Sequence, residues 1–390
     1  MKLHLRRHLT TALILVSLSV LPLARAPLAA TADPQLREIF RQILRDPANI
    51  ELNLRYARLA EKKGKLRKAL AAYERILIND PGNREARRGS RKILDALKPD
   101  TTRWTAIFGG EYASNPRLRK SGTANTDGDF TGIGRLLVED ERRIGGRRWR
   151  SNGQIFANLH KRFRSLDYGY IGGDIGPLLA ARGGWTLRPA LGAAYSWLDQ
   201  KTFLTEVSVK LGIEAPAGGA FQRIDFRFAY DFIGSNFSNE RNGVVFEATP
   251  QFALNNLAKR GDVLTIRPSF LYNGASGAEP NPLLVRGDLF PNRYQQYALR
   301  LTYFVPFLDG RVFAGLTFDS SVRLYTVKPF GESARRRDTY LAPGAQLIFP
   351  KLLHPKHDLI IKYRFENNVS NDGIHNFQNH TAGFRSVWRF

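Results

Sequence analysis

Four polar residues near the C-terminus carry side chains used in hydrolytic chemistry: Ser370, Asp372, His375 and His380. A serine nucleophile, a histidine base and a carboxylate are the parts of a hydrolase triad. The chain contains no Gly-x-Ser-x-Gly, no His-Glu-x-x-His and no phosphate-cradling loop, so no such motif supports these residues. We therefore expect an ordinary polar loop here, and predict neither an enzyme nor a cofactor.

Metal chemistry has equally little support. His354 and His357 flank a predicted turn, and the chain has no cysteine, which excludes thiol chemistry and cysteine metal sites. The sequence predicts no metal site.

Inward-facing basic residues are better functional candidates. The predicted lumen-lining set is Arg135, Arg188, Arg223, Asp225, Arg227, Arg267, Arg300, Lys362, Arg364 and Arg385. These side chains would line a path for an anionic solute or a polar polypeptide. Alternatively, they pair with Asp225, Asp231, Asp319 and Glu366 and make the wall rigid. The two interpretations are compatible, and both stay open.

The elements that would position these residues are β-strands. From Trp185 to Trp197, large apolar residues alternate with small or polar ones. A soluble sandwich would bury the large residues, whereas a small, polar opposite face suits a water-filled lumen. Trp185 and Tyr195 would be separated by roughly 25 Å along the membrane normal, the distance between two aromatic girdles.

About fourteen such segments follow the helical part of the chain, an even number that is typical of a single-chain bacterial barrel. The predicted spans are 103–114, 129–140, 148–160, 167–179, 185–197, 202–213, 220–232, 243–256, 262–273, 293–305, 311–323, 338–349, 356–369 and 377–390. The connections 181–184, 215–219 and 306–310 are short, whereas 115–128, 274–292 and 326–337 are long. Short turns are periplasmic and long loops extracellular in such barrels. The basic loop residues Arg117, Arg119, Lys120 and Arg335 to Arg337 are then expected to contact lipopolysaccharide.

Residues 33–100 predict a small helical domain. Asp46-Pro47 recurs as Asp80-Pro81 after 34 residues, the period of the tetratricopeptide repeat. The segment Gly64 to Leu70 with Tyr73 resembles the turn and second helix of that repeat, although Asn53 and Ala57 depart from its pattern. One repeat, a preceding half repeat and a trailing helix are expected. The domain would dock a client, with Tyr56 and Tyr73 as candidates, or act as a spacer beside the barrel.

The first residues have the order of a secretory signal peptide: basic Lys2, Arg6 and Arg7, an apolar run, and then small residues. Cleavage is expected at Ala30-Thr31-Ala32. An uncleaved anchor is the alternative, but the apolar run is shorter than the ~20 residues of a spanning helix. The domains are then 1–32 signal peptide, 33–100 periplasmic helical domain and 101–390 outer-membrane barrel. The net charge of +24 would suit nucleic acid, but this location makes that partner unsuitable and favours lipopolysaccharide, outer-membrane lipid or an anionic cargo.

The chain ends on Phe390, with Phe384 and Trp388 on the same strand face. This ending resembles the C-terminal signal by which the barrel assembly machinery recognises outer-membrane proteins.

The whole arrangement resembles the surface lipoprotein assembly modifiers (Slam proteins), which pair a periplasmic tetratricopeptide domain with a fourteen-strand barrel. Local similarity lies in Gly109 to Pro116 and in Tyr363 to Ser370 with Phe390. The resemblance implies translocation or display of a secreted protein or lipoprotein client. An exopolysaccharide export porin and a simple anion-selective channel are the alternatives.

Overall fold

The structure is a computed structural model that describes residues 33–120, 127–234, 242–275, 293–326 and 334–390. The predicted signal peptide and most of the predicted loop 274–292 lie outside these residues. The chain divides after Pro99 into a helical unit and a β-unit.

The helical unit contains α1 (Pro34–Arg45), α2 (Ile50–Lys62), α3 (Leu66–Asn79) and α4 (Arg84–Leu97) in the described residues. Two of its turns are equivalent. Asn49 caps α2 by accepting the amide of Leu52, and Asn83 caps α4 by accepting the amide of Ala86, both at 3.0 Å. Side-chain oxygens at this position satisfy amides that lack a partner in the first helical turn. The turn chemistry therefore repeats with the 34-residue spacing of the sequence.

Small residues hold these helices close together. Ala57, Ala60, Ala69 and Ala72 are fully buried beside the aromatic ring of Tyr73. A Cβ added at Gly89 in α4 would lie 2.3 Å from that ring, so only glycine fits there. In the part of the chain that the structure describes, no helix is both long and apolar enough to span a membrane.

The β-unit is built from fourteen long strands in the described residues. They are β1 (Thr101–Ala113), β2 (Asp129–Ile144), β3 (Arg147–His160), β4 (Tyr168–Pro177), β5 (Thr186–Leu198), β6 (Lys201–Glu214), β7 (Phe221–Ile233), β8 (Gly243–Asn255), β9 (Val263–Ala275), β10 (Tyr294–Phe307), β11 (Val312–Tyr325), β12 (Arg337–Pro350), β13 (His357–Ser370) and β14 (Phe377–Arg389). Leu179–Ala180 forms a short continuation of β4 that pairs with β5. Each strand pairs antiparallel with its sequence neighbours, and β1 pairs with β14. The sheet is therefore a closed barrel, which confirms the predicted fold class.

The outer faces of β5 and β7 are apolar. On β5, Leu191 and Tyr195 are 68% and 39% exposed, and on β7 the outward residues include Phe228 and Tyr230. A closed barrel leaves no unpaired strand edge, and an apolar exterior is stable only against lipid. The protein is thus an outer-membrane β-barrel, as predicted. Because α4 leads into β1 at the end of the barrel with the short turns, the helical unit is periplasmic.

Two turns show how local chemistry ends the strands. Asp262 closes the β8–β9 turn, where its carboxylate accepts the amides of Leu257, Ala258 and Lys259 at 2.7 to 2.8 Å. At the extracellular end, Asp199 and Gln200 form a two-residue hairpin with φ of 51° and 60°. This hairpin is an exception to the predicted rule of long extracellular loops.

Candidate functional site

The inner face of the barrel carries the polar and charged residues. Strand alternation with the outward apolar set places all ten predicted lumen residues on this face, namely Arg135, Arg188, Arg223, Asp225, Arg227, Arg267, Arg300, Lys362, Arg364 and Arg385. The sequence could predict this orientation because one apolar face per strand determines the direction of the other.

Three of these arginines lie at one register across β7 to β10, where β8 contributes Gln251 between the first two. Arg223 pairs with Gln251 of the next strand, and Arg267 pairs with Arg300. Gln251 Oε1 accepts from Nε and Nη2 of Arg267 at 3.0 and 2.7 Å, which joins the two pairs. We call Arg223, Arg267 and Arg300 the arginine row.

The arginine row faces open space. The side chains of Arg223 and Arg300 are 45% and 58% exposed although both point into the barrel. Each has one acidic neighbour, since Arg223 contacts Asp225 at 3.1 Å and Arg300 contacts Asp319 at 2.5 Å. Arg267 instead uses the neutral amide of Gln251. This stretch of wall therefore presents positive charge that an anion in the lumen can reach.

Asp319 links the row to a second basic group. Its carboxylate binds Arg300 at 2.5 Å and Arg364 at 3.0 Å. Arg364 also donates to the hydroxyl of Tyr340 at 2.7 Å, and that hydroxyl donates to Glu366 at 2.6 Å. A single aspartate thus shares its charge between two arginines.

Glu111 organises the wall where the barrel closes. Its carboxylate binds Lys362 at 2.5 Å and Arg385 at 2.9 Å. Gly109 allows β14 to approach closely here, because a Cβ there would lie 2.1 Å from the carbonyl oxygen of Phe384 and 2.8 Å from Cδ of Arg385. These contacts join β13, β14 and β1 on the inner side.

The wall from β3 to β8 is more fully neutralised. Asp174 pairs with Arg188 and with Lys210, the latter at 2.9 Å. Arg227 lies between Glu206 at 2.7 Å and Glu247 at 3.0 Å. These positive charges are compensated within the wall and contribute to its rigidity.

Ion pairs on the inner face also connect β3 with strands on either side of it. Arg150 of β3 binds Glu141 of β2 at 2.7 Å and also binds Glu214 of β6. Arg135 has a different environment, with its guanidinium 5.1 Å from the ring centre of Phe156. Residues that the sequence analysis did not single out for the wall are Glu111, Arg150, Asp174, Glu206, Lys210 and Glu247. Each of them occupies an inward-facing alternate position of its strand, so the alternation of the sequence could have identified them.

The acidic residues predicted to pair with the lumen arginines differ in their contacts. Asp225, Asp319 and Glu366 contact arginines as the pairing interpretation requires. Asp231 differs, since its Oδ1 is buried without a hydrogen-bond partner and its direct neighbour on β6 is another carboxylate, Glu206.

The two tyrosines suggested for client docking lie in the helical core. Tyr56 and Tyr73 are 6% and 3% exposed, and the Tyr73 hydroxyl donates to Glu61 at 2.7 Å. Burial, reinforced by this hydrogen bond, raises the pKa of Tyr73. Since both rings pack against neighbouring helices, they are not available as a contact surface for a client.

The C-terminal aromatic residues lie on the outer face. Phe384 and Phe390 are 49% and 60% exposed, and Trp388 pairs with the outward residue Ala106. The amide of Phe390 donates to the carbonyl of Trp104 at 2.9 Å, so the last residue completes the closing ladder.

The histidines suggested by the sequence are held by structural contacts. His375 lies 3.3 Å from Asp372, and Asp372 accepts the amide of Ile374 as a turn cap. His380 bonds the Tyr363 hydroxyl at 2.8 Å, and His357 bonds Ser386 at 3.0 Å. Within the described ranges, no set of three histidine or acidic residues is placed to hold a metal ion.

No family model matches this chain, and no curated protein matches it. It is similar in structure to the outer membrane protein Omp33 of Acinetobacter baumannii, with a TM-score of 0.37 and 11% identity over 74% of this chain and 99% of that one. OccK5 (OpdH) of Pseudomonas aeruginosa gives 0.38 and 12% over 74% and 98%. The channel DcaP of A. baumannii gives 0.39 and 10% over 75% and 97%. These similarities are too low to assign an activity to this chain.

Proposed function

We propose that this outer-membrane barrel is a passive channel for small hydrophilic anions. The observation that carries the proposal is the arginine row, in which Arg223, Arg267 and Arg300 face the lumen at one register of β7, β9 and β10. Conduction through such a wall needs no nucleotide and no resident cofactor.

Two features make the row suitable for transient anion binding. Guanidinium groups present several donors in a planar arrangement that fits carboxylates and phosphates. The side chains of Arg223 and Arg300 stay about half exposed, so an anion can replace water around them without displacing a buried ion pair. Binding of this kind is weak enough to allow release, as conduction requires.

The remaining wall acts as the rigid frame of the channel. Elsewhere the cations around Asp174, Arg227 and Glu111 are held in ion pairs and are less exposed than Arg223 and Arg300, so the arginine row presents the most accessible positive charge of this wall. An anion is thereby directed to one side of the lumen.

Uptake by proteoliposomes tests the proposal. Purified protein should admit a monovalent sugar acid faster than an uncharged sugar of similar size. Replacing Arg223, Arg267 and Arg300 together with Gln should remove this difference. Replacing the exposed helical arginines Arg37, Arg41 and Arg87 with Gln changes the net charge equally and should leave it unchanged. Equal uptake of both solutes by the unmodified protein would contradict the proposal.

A second candidate is export or display of a partner protein, a secreted protein or a surface lipoprotein, with the helical unit docking the client. The equivalent Asn49 and Asn83 turns support it, since they repeat at the tetratricopeptide spacing. The resemblance to Slam proteins also supports it. Under this candidate, deleting residues 33–98 leaves the barrel assembled but abolishes surface exposure of the client. Normal exposure in that deletion would contradict it.

A further inference from the structure

Three cations follow the extracellular ends of β1 and β3, namely Arg117, Lys161 and Arg162. Tyr112 and Phe130 form the last outward aromatic pair there, with ring centres 6.3 Å apart and 46% and 53% of each residue exposed. Aromatic rings of this kind mark the headgroup level of a membrane barrel.

Arg162 is placed at this level by direct contacts. Its Nη1 donates to the carbonyl of Gly128 at 3.3 Å. Gly128 itself packs against Tyr112, because a Cβ added there would lie 2.1 Å from the tyrosine hydroxyl. Gly128 therefore lies between the guanidinium of Arg162 and the outward ring of Tyr112.

Lys161 continues the outward face of β3. Its amide donates to the carbonyl of Phe130 at 2.8 Å, which extends the β2–β3 ladder by one residue. Ile155 and Leu159 are outward and 40% and 64% exposed, and strand alternation places Lys161 next on that face. A cation therefore follows directly on the apolar surface of β3.

Arg117 completes the group through Phe163. Its guanidinium lies 4.0 Å from the centre of the Phe163 ring, and that of Arg162 lies 5.5 Å from the same centre. Both guanidinium groups therefore lie against one ring, which keeps the two cations near each other at the rim.

The nearby carboxylates do not neutralise the three cations. Asp127 contacts Arg162 at 3.3 Å and is itself about half exposed. Asp129 is 2% exposed, and its carboxylate accepts hydrogen bonds from the backbone amides of Phe130, Arg162 and Phe163 rather than from the three cations. The net charge at this part of the rim is positive.

We propose that Arg117, Lys161 and Arg162 form a binding site for the lipid A phosphates of lipopolysaccharide. Lipid A is the ligand class that fits, because Lys161 follows the outward aliphatic residues of β3 and Arg162 binds Gly128, which packs against the outward ring of Tyr112. An amphipathic ligand can use both the cations and this apolar surface, whereas a free anion would contact only the cations. The other basic loop differs. Arg336 is 6% exposed, bound to Asp338 and stacked over Tyr325, so it serves the loop itself.

Binding of purified protein in detergent to deep-rough lipopolysaccharide, measured by native mass spectrometry, tests this site. The variant R117Q/K161Q/R162Q should bind at least about tenfold more weakly, because one hydrogen bond to a charged group already accounts for about that factor. The control R147Q/R182Q/R311Q removes three exposed cations from periplasmic turns and should bind like the unmodified protein.

Two further ligands identify the chemistry. Dephosphorylated lipid A should bind the unmodified protein as weakly as lipopolysaccharide binds the rim variant, and inorganic phosphate should not compete at millimolar concentration. The proposal is overturned if the rim variant binds normally, if removal of the phosphates has no effect, or if inorganic phosphate displaces the lipid. The heat-modifiable gel band of each variant confirms that its barrel is folded.

Discussion

Substituting Asp319 with Asn should increase the anion selectivity of the channel. Asp319 is the only carboxylate that contacts both Arg300 and Arg364 in the described structure, at 2.5 and 3.0 Å. Asn keeps the volume and one acceptor oxygen, so the wall should stay folded while the lumen gains one positive charge.

The size of the effect follows from Coulomb's law. For an ion passing about 7 Å away in a water-like dielectric, one unit charge contributes about 0.6 kcal/mol, or about threefold in local concentration. Anions gain and cations lose by that factor, so the permeability ratio should rise up to about eightfold. Salt screens this field over about 10 Å at 0.1 M but about 3 Å at 1 M, so the increase should largely vanish at high salt.

Zero-current potentials in planar bilayers measure the ratio. The matched control is Asp140→Asn, because Asp140 also binds an arginine, Arg142 at 2.5 Å, but lies on the outward-facing side of β2. An unchanged ratio for Asp319→Asn at 0.1 M, or a change toward cations, would refute the role given to the lumen charges.

Three further predictions concern stability and assembly. Gly89→Val forces a Cβ to within 2.3 Å of the Tyr73 ring, so the helical unit should lose about 1–3 kcal/mol while the heat-modifiable barrel band stays; an unchanged helical denaturation midpoint would count against this packing. Burial acts to raise the pKa of Asp262, but hydrogen bonds from Tyr303 and backbone amides lower it to about 2. Its carboxylate therefore stabilises the turn above about pH 4 and this contribution is lost as the pH falls through about 2; Asp262→Asn should lower hydrogen-exchange protection of the three capped amides at neutral pH, and equal protection in both proteins would refute the cap. Deleting Phe390 should reduce the amount of assembled barrel on a gel, whereas full assembly would show that the terminal residue is dispensable.

The strand order and lumen orientation were predictable because the barrel exterior is apolar over a defined width. The predicted fifth strand, Trp185 to Trp197, differs by one residue at each end from β5. The largest difference is at β2, which continues to Ile144 rather than ending at 140. The last residues of this strand include Glu139, Glu141 and Arg142, so apolar and polar residues do not alternate there. These residues still pair with β3.

The contacts between charges were not predictable from alternation. The pair of Arg150 and Glu214 joins β3 to β6 across two intervening strands, which requires the curvature of the closed wall. The alignment of Arg223, Arg267 and Arg300, with Gln251 between the first two, likewise depends on the register of β7 to β10, which parity alone leaves open.

In the helical unit, the repeat was visible in the sequence, but the role of its aromatic residues was not. Its period was visible in Asp46-Pro47 and Asp80-Pro81, and the structure adds equivalent caps at Asn49 and Asn83. Tyr56 and Tyr73 were conspicuous in the sequence as aromatic residues, but an aromatic residue at helical spacing is more often a core residue, and here both are buried.

The most direct test of the proposed channel is the zero-current potential of the unmodified protein across a tenfold KCl gradient at low salt. We predict the sign of an anion-selective channel, and we predict that replacing Arg223, Arg267 and Arg300 with Gln moves the potential toward zero. Cation selectivity in the unmodified protein, or a potential that the triple substitution leaves unchanged, would contradict the role proposed for the arginine row.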